Sequence, residues 1–275
     1  MKSLRYIFEV ISMQTGISTA CLYPEPLEAS FRTLTSMQFH TFEVFFNTWS
    51  EFQPPFITLL RRIAKEQNCH ILSVHPYTSG YESCLLFSNY ERRFLDSVGF
   101  YEEYFRAARD LGASFVVLHG QRDYQNSSIS EEEYIDRYAY LNRRAKTFGV
   151  TLAQENVNRF RSEDPAFIRR MRRRLQDDCS FVFDIKQAVR AGQDPFEMCS
   201  AMGERLVHIH INDHTESEDC LLPGCGGMDY MRLLNMLRSF GYGGEVIIEV
   251  YRKNFTELQE LEKARNFLNT LFSNF

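Results

Sequence analysis

A repeated pattern of amphipathic helix, glycine and short apolar strand constrains the fold of this chain more than any other feature. Apolar residues recur at spacings of three or four in residues 94–111, 131–148 and 229–240, which is the period of a helix with one buried face. A glycine follows each segment, and the apolar runs SFVVLHG, VTLAQEN and EVIIEVY come soon after. Glycine permits the left-handed turn that ends a helix. The pattern is typical of the helix-to-strand half of a β-α-β unit.

Eight strands are predicted along the chain, each separated from the next by a helical pattern. They cover residues 17–23, 41–47, 70–76, 114–120, 150–156, 179–185, 206–212 and 245–251. Eight alternations within 275 residues favour one α/β domain over residues 1–275, a single (β/α)8 TIM barrel. Residues 1–16 are then an N-terminal extension before the first barrel strand. A doubly wound open sheet is the alternative, but no G-x-G-x-x-G follows any predicted strand.

Composition and charge argue against several classes of protein. The net charge is −5, from 31 basic and 36 acidic residues, so no global basic field attracts a nucleic-acid backbone. The basic run 169–174 predicts the solvated face of a helix, with a phosphate-binding patch as the alternative. No apolar stretch is long enough to span a membrane. Seven cysteines without a C-x-x-C pair indicate reduced thiols, and we expect a cytoplasmic protein.

The alternation of side chains along the strands predicts polar residues on the inner face of the barrel. In LVHIHIN, residues 206–212, Val207 and the two isoleucines share the face toward the helices, and the other face carries His208, His210 and Asn212. Three other strands send one carboxylate each inward near their carboxyl ends, namely Glu155, Asp184 and Glu249. Active sites of α/β barrels lie at that end of the strands.

Four of these inward residues predict a metal site. Glu155, Asp184, His210 and Glu249 come from four consecutive strands, and carboxylates buried together repel unless something compensates them. Three carboxylates and one imidazole suit one divalent metal ion, either Mn²⁺, Mg²⁺ or Co²⁺, with Zn²⁺ as a further choice. Taken singly, each residue has an ordinary structural interpretation: a salt bridge for a glutamate, a helix cap for Asp184, a core hydrogen bond for His210.

Further side chains are predicted to line the same mouth. His75 and His119 end the third and fourth strands, where they can position substrate oxygens, bind a second metal or satisfy buried backbone groups; we prefer substrate positioning. Trp49 and Tyr77 follow strand ends and can stack on a sugar ring or pack in the core. His208 lies one layer deeper and is expected to orient a metal ligand.

The order and spacing of these motifs carry a family resemblance. The runs VVLHG, TLAQEN, FVFDIKQAVRAG, HIHIND and LPGCGGMDY resemble the xylose isomerase-like TIM-barrel superfamily, which holds sugar isomerases and epimerases and the apurinic endonucleases. In its ketose epimerases one metal is held at the positions of Glu155, Asp184, His210 and Glu249, and both glutamates transfer protons. The resemblance implies a metal-dependent isomerase or epimerase of a sugar, sugar phosphate or hydroxy-keto acid in carbohydrate metabolism. Its reaction proceeds by proton transfer through a metal-stabilised enediolate.

Three positions depart from the epimerase pattern. Gln187 stands where those enzymes carry a histidine, Arg161 where they carry a glutamate, and Glu216 where they carry an arginine. These positions contact substrate in the epimerases, so we expect Gln187 to contact a substrate other than their simple ketose.

The resemblance leaves two alternatives open. The endonuclease branch uses three zinc ions, but its D-x-H motif after the seventh strand is absent, with Glu218, Asp219 and Cys220 nearby. A small sugar-derived molecule is therefore the expected partner, without nucleic acid or membrane, and a homo-oligomer is left open. The alternatives are an endonuclease-like metal-dependent phosphodiesterase and a non-catalytic sugar-binding barrel.

Overall fold

Eight parallel strands close into a barrel in the computed structural model, which describes residues 13–122 and 129–274. Each strand pairs with the next along the chain, and β8 pairs with β1 to complete the ring. The predicted (β/α)8 TIM barrel is confirmed. The strands are β1 Thr15–Ser18, β2 Thr41–Phe45, β3 His70–His75, β4 Phe115–Leu118, β5 Thr151–Glu155, β6 Phe181–Asp184, β7 Leu206–Ile211 and β8 Val246–Ile248.

The α-helices connect the strands and surround the barrel. The β3–β4 connection contains two helices, and so does the β6–β7 connection. The last helix of the chain follows β8. Among the described residues the helices are α1 Leu27–Ser36, α2 Pro54–Glu66, α3 Glu82–Leu85, α4 Glu91–Leu111, α5 Glu131–Thr147, α6 Pro165–Leu175, α7 Ile185–Arg190, α8 Pro195–Met202, α9 Tyr230–Ser239 and α10 Gln259–Ser273.

Helix α4 shows how the local sequence forms these elements. Phe94, Val98, Tyr101 and Phe105 recur on one face of the helix, and all four are buried in the core between helices and barrel. Gly112 caps the helix with a φ of 77°, in the left-handed region, where a side chain would add strain. The three helices predicted from this spacing are confirmed as α4, α5 and α9.

The first strand lies earlier than the predicted range 17–23. The Ser18 hydroxyl accepts a hydrogen bond from the Ala20 N–H at 3.3 Å, and Thr19–Leu22 turn into a 3-10 helix instead of continuing the strand. The strand begins at Thr15, two residues inside the segment expected to precede it. Residues 1–12 of that segment lie outside the described residues, so its role stays a prediction.

A β-bulge in β7 changes the face of one side chain. Leu206 and His208 lie opposite consecutive residues of β6, so the residue between them is extra. That residue, Val207, packs against the interior side chains Val117, Ala153 and Val182. The prediction that Val207 shares the helix-facing side is therefore wrong. Beyond the bulge, His208 and His210 face the barrel interior as predicted, where both contact a side chain of β2.

The basic run on α6 lies on a partly exposed helix face, in line with the predicted solvated face, and its arginines also form salt bridges. Arg169, Arg170, Arg172 and Arg174 each lie within 3.4 Å of a carboxylate oxygen. Elsewhere the seven cysteines are free thiols. In the part of the chain that the structure describes, no helix has the length and apolar character needed to cross a membrane.

Candidate metal centre

Ligand-type side chains from four neighbouring strands meet at the carboxyl end of the barrel. Glu155 ends β5, Asp184 ends β6, His210 lies one residue before the end of β7, and Glu249 follows β8. One donor atom from each of the four lies within 4.8 Å of the other three. The structure thus brings together the four residues predicted as ligands, and their binding of a metal stays a prediction.

The Nδ1 atom of His210 lies at the centre of this cluster. It is 3.4 Å from Oε1 of Glu155, 3.6 Å from Oδ2 of Asp184 and 3.3 Å from Oε2 of Glu249. The Glu249 side chain is 12% exposed, whereas the other three are at most 2% exposed. Carboxylates this close repel each other in a buried site. The donor set, three carboxylates and one imidazole, fits a divalent cation that compensates this repulsion.

Asp184 uses its two oxygens for two different purposes. Oδ1 accepts a hydrogen bond from the Gln187 N–H at 3.3 Å and so caps α7, and it also accepts one from Nδ2 of Asn212 at 3.2 Å. Oδ2 faces His210. The helix-cap interpretation and the ligand interpretation are therefore compatible, because the cap fixes the direction of the second oxygen.

Nearby cations hold both glutamates of the cluster in the carboxylate form. Burial raises the pKa of Glu155, but the charge of His119 and a hydrogen bond from His210 bring it well below the usual range. Burial also raises the pKa of Glu249, and the charges of His210 and Lys186 bring it below its ordinary value. Both groups are therefore deprotonated at neutral pH, the form that a proton acceptor must have.

Lys186 belongs to this cluster, and the sequence analysis missed it. Its ammonium forms ion pairs with Oδ2 of Asp184 and Oε2 of Glu249, and its side chain is only 2% exposed. Burial lowers the pKa of Lys186, but these two carboxylates raise it well above the usual range. The sequence signal for it was its position, two residues after the aspartate that ends β6 and therefore close to the predicted site. Lysines are almost never fully buried unless paired, so the residue type pointed to the surface.

Glu43 is a second missed residue and lies beneath the cluster. Its Oε2 is 3.0 Å from Nε2 of His210, 3.0 Å from Nε2 of His208, and accepts a hydrogen bond from the Ser73 hydroxyl at 2.9 Å. Glu43 is fully buried on β2. It stands between two apolar residues of that strand, so alternation alone pointed it inward. His208 contacts the same carboxylate oxygen. It lies two residues before His210 on β7, and so one layer deeper in the barrel, as predicted.

His75 and His119 form a further cluster with Glu155. The Nε2 atoms of the two histidines are 3.0 Å apart. Oε2 of Glu155 lies 3.0 Å from Nε2 of His119 and 3.7 Å from Nε2 of His75. Donor atoms of these three residues are close enough to hold a metal ion. Substrate positioning and a second metal therefore both stay open for the two histidines.

The other predicted substrate residues are Gln187, Trp49 and Tyr77, and each makes contacts outside the cluster. Gln187 accepts a hydrogen bond at its Oε1 from the backbone N–H of Asn158 at 3.2 Å. Trp49 stacks on a phenylalanine ring of α4, with 46% of its surface exposed. Tyr77 packs against Phe52 with ring centres 6.1 Å apart. Substrate contact stays a prediction for all three residues. The ring contacts of Trp49 and Tyr77 agree with the alternative for these two, which is packing against other aromatic side chains.

The motif HIHIND and the glycine-rich segment after it form one loop at the mouth. The Asp213 carboxylate accepts hydrogen bonds from the backbone N–H groups of Gly224, Gly226 and Met228 at 2.9 to 3.0 Å. A Cβ at Gly226 would lie 2.4 Å from the carbonyl oxygen of His214. The aspartate and this glycine therefore explain the motif as a loop closure beside the site.

The family assignment rests on a match over most of the chain. The model of the family described as xylose isomerase-like TIM barrel matches residues 31–271. The chain belongs to this family. Membership agrees with the closed barrel and with a site built at the carboxyl ends of its strands.

Some of the proteins similar to this chain are uncharacterised, and others are named proteins with solved structures. An uncharacterised protein of Mycobacterium tuberculosis is 26% identical over 276 residues, which cover 91% of this chain and 93% of that protein. The structure of a D-tagatose 3-epimerase-like protein has a TM-score of 0.78 at 20% identity, covering 95% of this chain and 97% of that one. The IolI protein with a bound zinc atom has a TM-score of 0.78 at 16% identity, covering 96% and 99%. At these identities the structural likeness establishes a shared fold.

Proposed function

We propose that this protein is a metal-dependent isomerase or epimerase of a sugar, a sugar phosphate or a hydroxy-keto acid. One observation carries the proposal: Glu155 and Glu249 converge with Asp184 and His210 on one buried point at the barrel mouth. Two carboxylates and a Lewis acid suit proton transfer beside a carbonyl group. The similar folds named as an epimerase-like protein and as a zinc-bound protein support the proposal.

The four residues would together hold one divalent ion, either Mn²⁺, Mg²⁺, Co²⁺ or Zn²⁺. Bound there, the ion would supply a Lewis acid for the negative charge that develops on a carbonyl oxygen of the substrate. The remaining work falls to the side chains of the protein.

Glu155 and Glu249 are assigned the proton transfer. They come from β5 and β8, which are three strands apart around the barrel, so their carboxylates reach the shared point from different directions. One glutamate takes the proton from the carbon next to the carbonyl, and the other returns a proton. His75 and His119 lie beside Glu155, where their N–H groups can hold substrate hydroxyl or carbonyl oxygens in place.

We infer that the substrate differs from the simple ketose of the ketose epimerases. The Arg161 guanidinium donates to Oε1 of Gln121 at 2.7 Å and to the carbonyl oxygen of Ile129 at 2.8 Å, so its donors are engaged by two residues between β4 and α5. Gln187 engages the loop after β5. Two positions that contact substrate in the ketose epimerases are thus occupied by other groups with contacts of their own.

Solvent deuterium exchange tests this function directly. Protein loaded with Mn²⁺ or Co²⁺ is incubated in heavy water with ketoses, ketose phosphates and hydroxy-keto acids. Proton NMR then follows the hydrogen on the carbon next to the carbonyl group. We expect deuterium at that carbon for an accepted substrate, and no exchange with a chelator or with His210→Ala. Metal analysis should find about one ion per wild-type chain and less in the variant. Unchanged metal in His210→Ala would refute the ligand assignment, and a panel without exchange would favour the sugar-binding alternative.

A metal-dependent phosphodiesterase is the second candidate. The cluster of His75, His119 and Glu155 favours it, because a second ion there would share Glu155 with the first and two-metal sites suit phosphodiester cleavage. Against it, Asp219, in the segment where the endonucleases carry D-x-H, is engaged by the Arg190 guanidinium at 2.6 Å. We therefore rank it below the isomerase.

A further inference from the structure

A lysine ammonium lies at the edge of the proposed metal centre. Nζ of Lys186 contacts Oδ2 of Asp184 and Oε2 of Glu249. The same two oxygen atoms face Nδ1 of His210, at 3.6 Å and 3.3 Å. A metal ion held by the cluster and the ammonium of Lys186 therefore require the same two ligand atoms.

The two cations cannot share these oxygens without a penalty. Both carboxylates belong to the buried cluster, where charges interact far more strongly than in water. A divalent ion at the cluster repels a neighbouring ammonium, and each oxygen that the ammonium holds is less available to the ion. Removing either cation without replacement leaves carboxylates that repel each other.

We propose that Lys186 is an internal counter-ion, which holds Asp184 and Glu249 in the metal-free protein and leaves both carboxylates when the ion binds. The proposal rests on the metal centre of the proposed function and adds how that centre is loaded. The ring centre of Tyr251 also lies 5.9 Å from Nζ, and an aromatic face stabilises an ammonium that has left its carboxylates. Lys186 thereby keeps the metal-free barrel folded and makes the bound metal exchangeable.

Metal affinity separates this role from a purely structural one. Competition predicts that Lys186→Met binds Co²⁺ roughly 10- to 100-fold more tightly than the wild type, because the ion no longer has to displace an ammonium. The metal-free variant should melt at a lower temperature, and Co²⁺ should raise its Tm by more than it raises that of the wild type. A lysine that only arranges the ligands predicts the opposite, a weaker affinity after its removal.

Lys253→Met is the matched control. The ammonium of Lys253 lies at the same 5.9 Å from the Tyr251 ring centre, but Lys253 is exposed. The Lys253→Met substitution also removes one positive charge beside Tyr251, but it leaves the contacts of Lys186 with Asp184 and Glu249 in place. Its Co²⁺ affinity should stay within about twofold of the wild type.

The measurement is a Co²⁺ titration followed by visible absorption, with chelator competition for tight binding. If Lys186→Met does not fold without metal, it is purified with Co²⁺ and its affinity is taken from chelator competition, with Lys186→Gln as a second uncharged variant. Equal or weaker affinity in both variants overturns the exchange proposal while the metal centre stands. No Co²⁺ binding by wild type or variants overturns the metal centre itself.

Discussion

His210 joins two polar networks through the two nitrogens of one ring. Nδ1 faces the carboxylates of Glu155, Asp184 and Glu249, whereas Nε2 lies 3.0 Å from Oε2 of Glu43. A carboxylate only accepts hydrogen bonds, so Nε2 keeps a proton toward Glu43, and Nδ1 is the nitrogen that would give up its proton and turn a lone pair toward a metal ion. We therefore expect Glu43 to orient the imidazole of His210 for metal binding.

Replacing Glu43 should weaken metal binding. We expect Glu43→Ala to lower Co²⁺ affinity roughly 10- to 100-fold, because the ring loses the acceptor that fixes its orientation and tautomer, and Glu43→Gln to lower it less. Ser73→Ala is the control, since it removes another hydrogen bond to the same oxygen and leaves His210 paired. Isothermal titration measures all three. An affinity for Glu43→Ala equal to that of Ser73→Ala would show that Glu43 does not position the ligand.

The two glutamates proposed to transfer protons should have an effect distinct from a general loss of negative charge. Glu155→Gln or Glu249→Gln keeps an oxygen donor but removes the base, so we expect the reaction rate to fall by about 10²–10⁴-fold with metal still bound. Glu245→Gln is the matched control, because Glu245 precedes β8 and pairs with His70 away from the cluster. Initial rates and deuterium uptake are measured on one substrate. Full turnover by Glu155→Gln would assign the base to another group.

At the scale of elements, a buried carboxyl group ties α3 to α4 and to the end of β4. Glu82 accepts hydrogen bonds from the Tyr101 hydroxyl at 2.5 Å and from the backbone N–H of Gly120, directly after His119. Burial raises the pKa of Glu82 to about 8, although the hydrogen bond from Tyr101 opposes the shift. This contact holds the segment that carries His119 at the mouth, so its protonation state affects the stability of the segment.

Glu82 should make the fold less stable as pH rises. The unfolded carboxyl titrates near 4.5 and the folded one near 8, so between these values the folded protein binds more protons and its free energy of unfolding falls with pH. Each pKa unit corresponds to about 1.4 kcal/mol. Glu82→Gln should flatten this slope, and Tyr101→Phe should extend it to higher pH by removing a donor to the carboxylate. Urea unfolding across this range measures the slopes, and equal slopes for wild type and Glu82→Gln would contradict the assignment.

At the scale of the whole molecule, the charge distribution favours a small substrate over a nucleic acid. The chain carries a net charge of −5. Its densest basic run lies on the outer helix α6, where four arginines pair with carboxylates. A phosphate backbone binds through basic side chains that release its counterions, and these arginines already have partners. The site itself gathers carboxylates, which suit a divalent metal ion and, through that ion, the oxygens of a small substrate.

Incubation with abasic-site DNA tests this expectation. We expect no more cleavage than the free metal ion gives, even at a protein concentration well above that needed for a DNA-cleaving enzyme. The reason is that productive DNA binding needs basic side chains in contact with the phosphates. Gel electrophoresis of a labelled duplex is the measurement. Efficient nicking that is lost in both His75→Ala and His119→Ala would reverse the ranking and make the two histidines metal ligands.

Local periodicity was enough to predict the barrel and to place the four candidate ligands. A helix of period 3.6 that ends at a glycine such as Gly112 depends only on neighbouring residues. Alternation along a strand depends on the local backbone in the same way, so the inward phase of Glu155, Asp184 and Glu249 could be read before any pairing was known. The closed ring then brought the carboxyl ends of these strands to one mouth.

Contacts between distant parts of the chain were decided only by the tertiary structure. The inward turn of Val207 arises from a bulge in its pairing with β6, and strand register is set between strands. Glu43 reaches His210 across the barrel interior, 167 residues away in sequence. A lysine side chain is long and has both apolar and charged parts, so the residue type alone allows either a solvated or a buried position. The closely spaced carboxylates of Asp184 and Glu249, which only the closed barrel assembles, are what hold Lys186 in the interior.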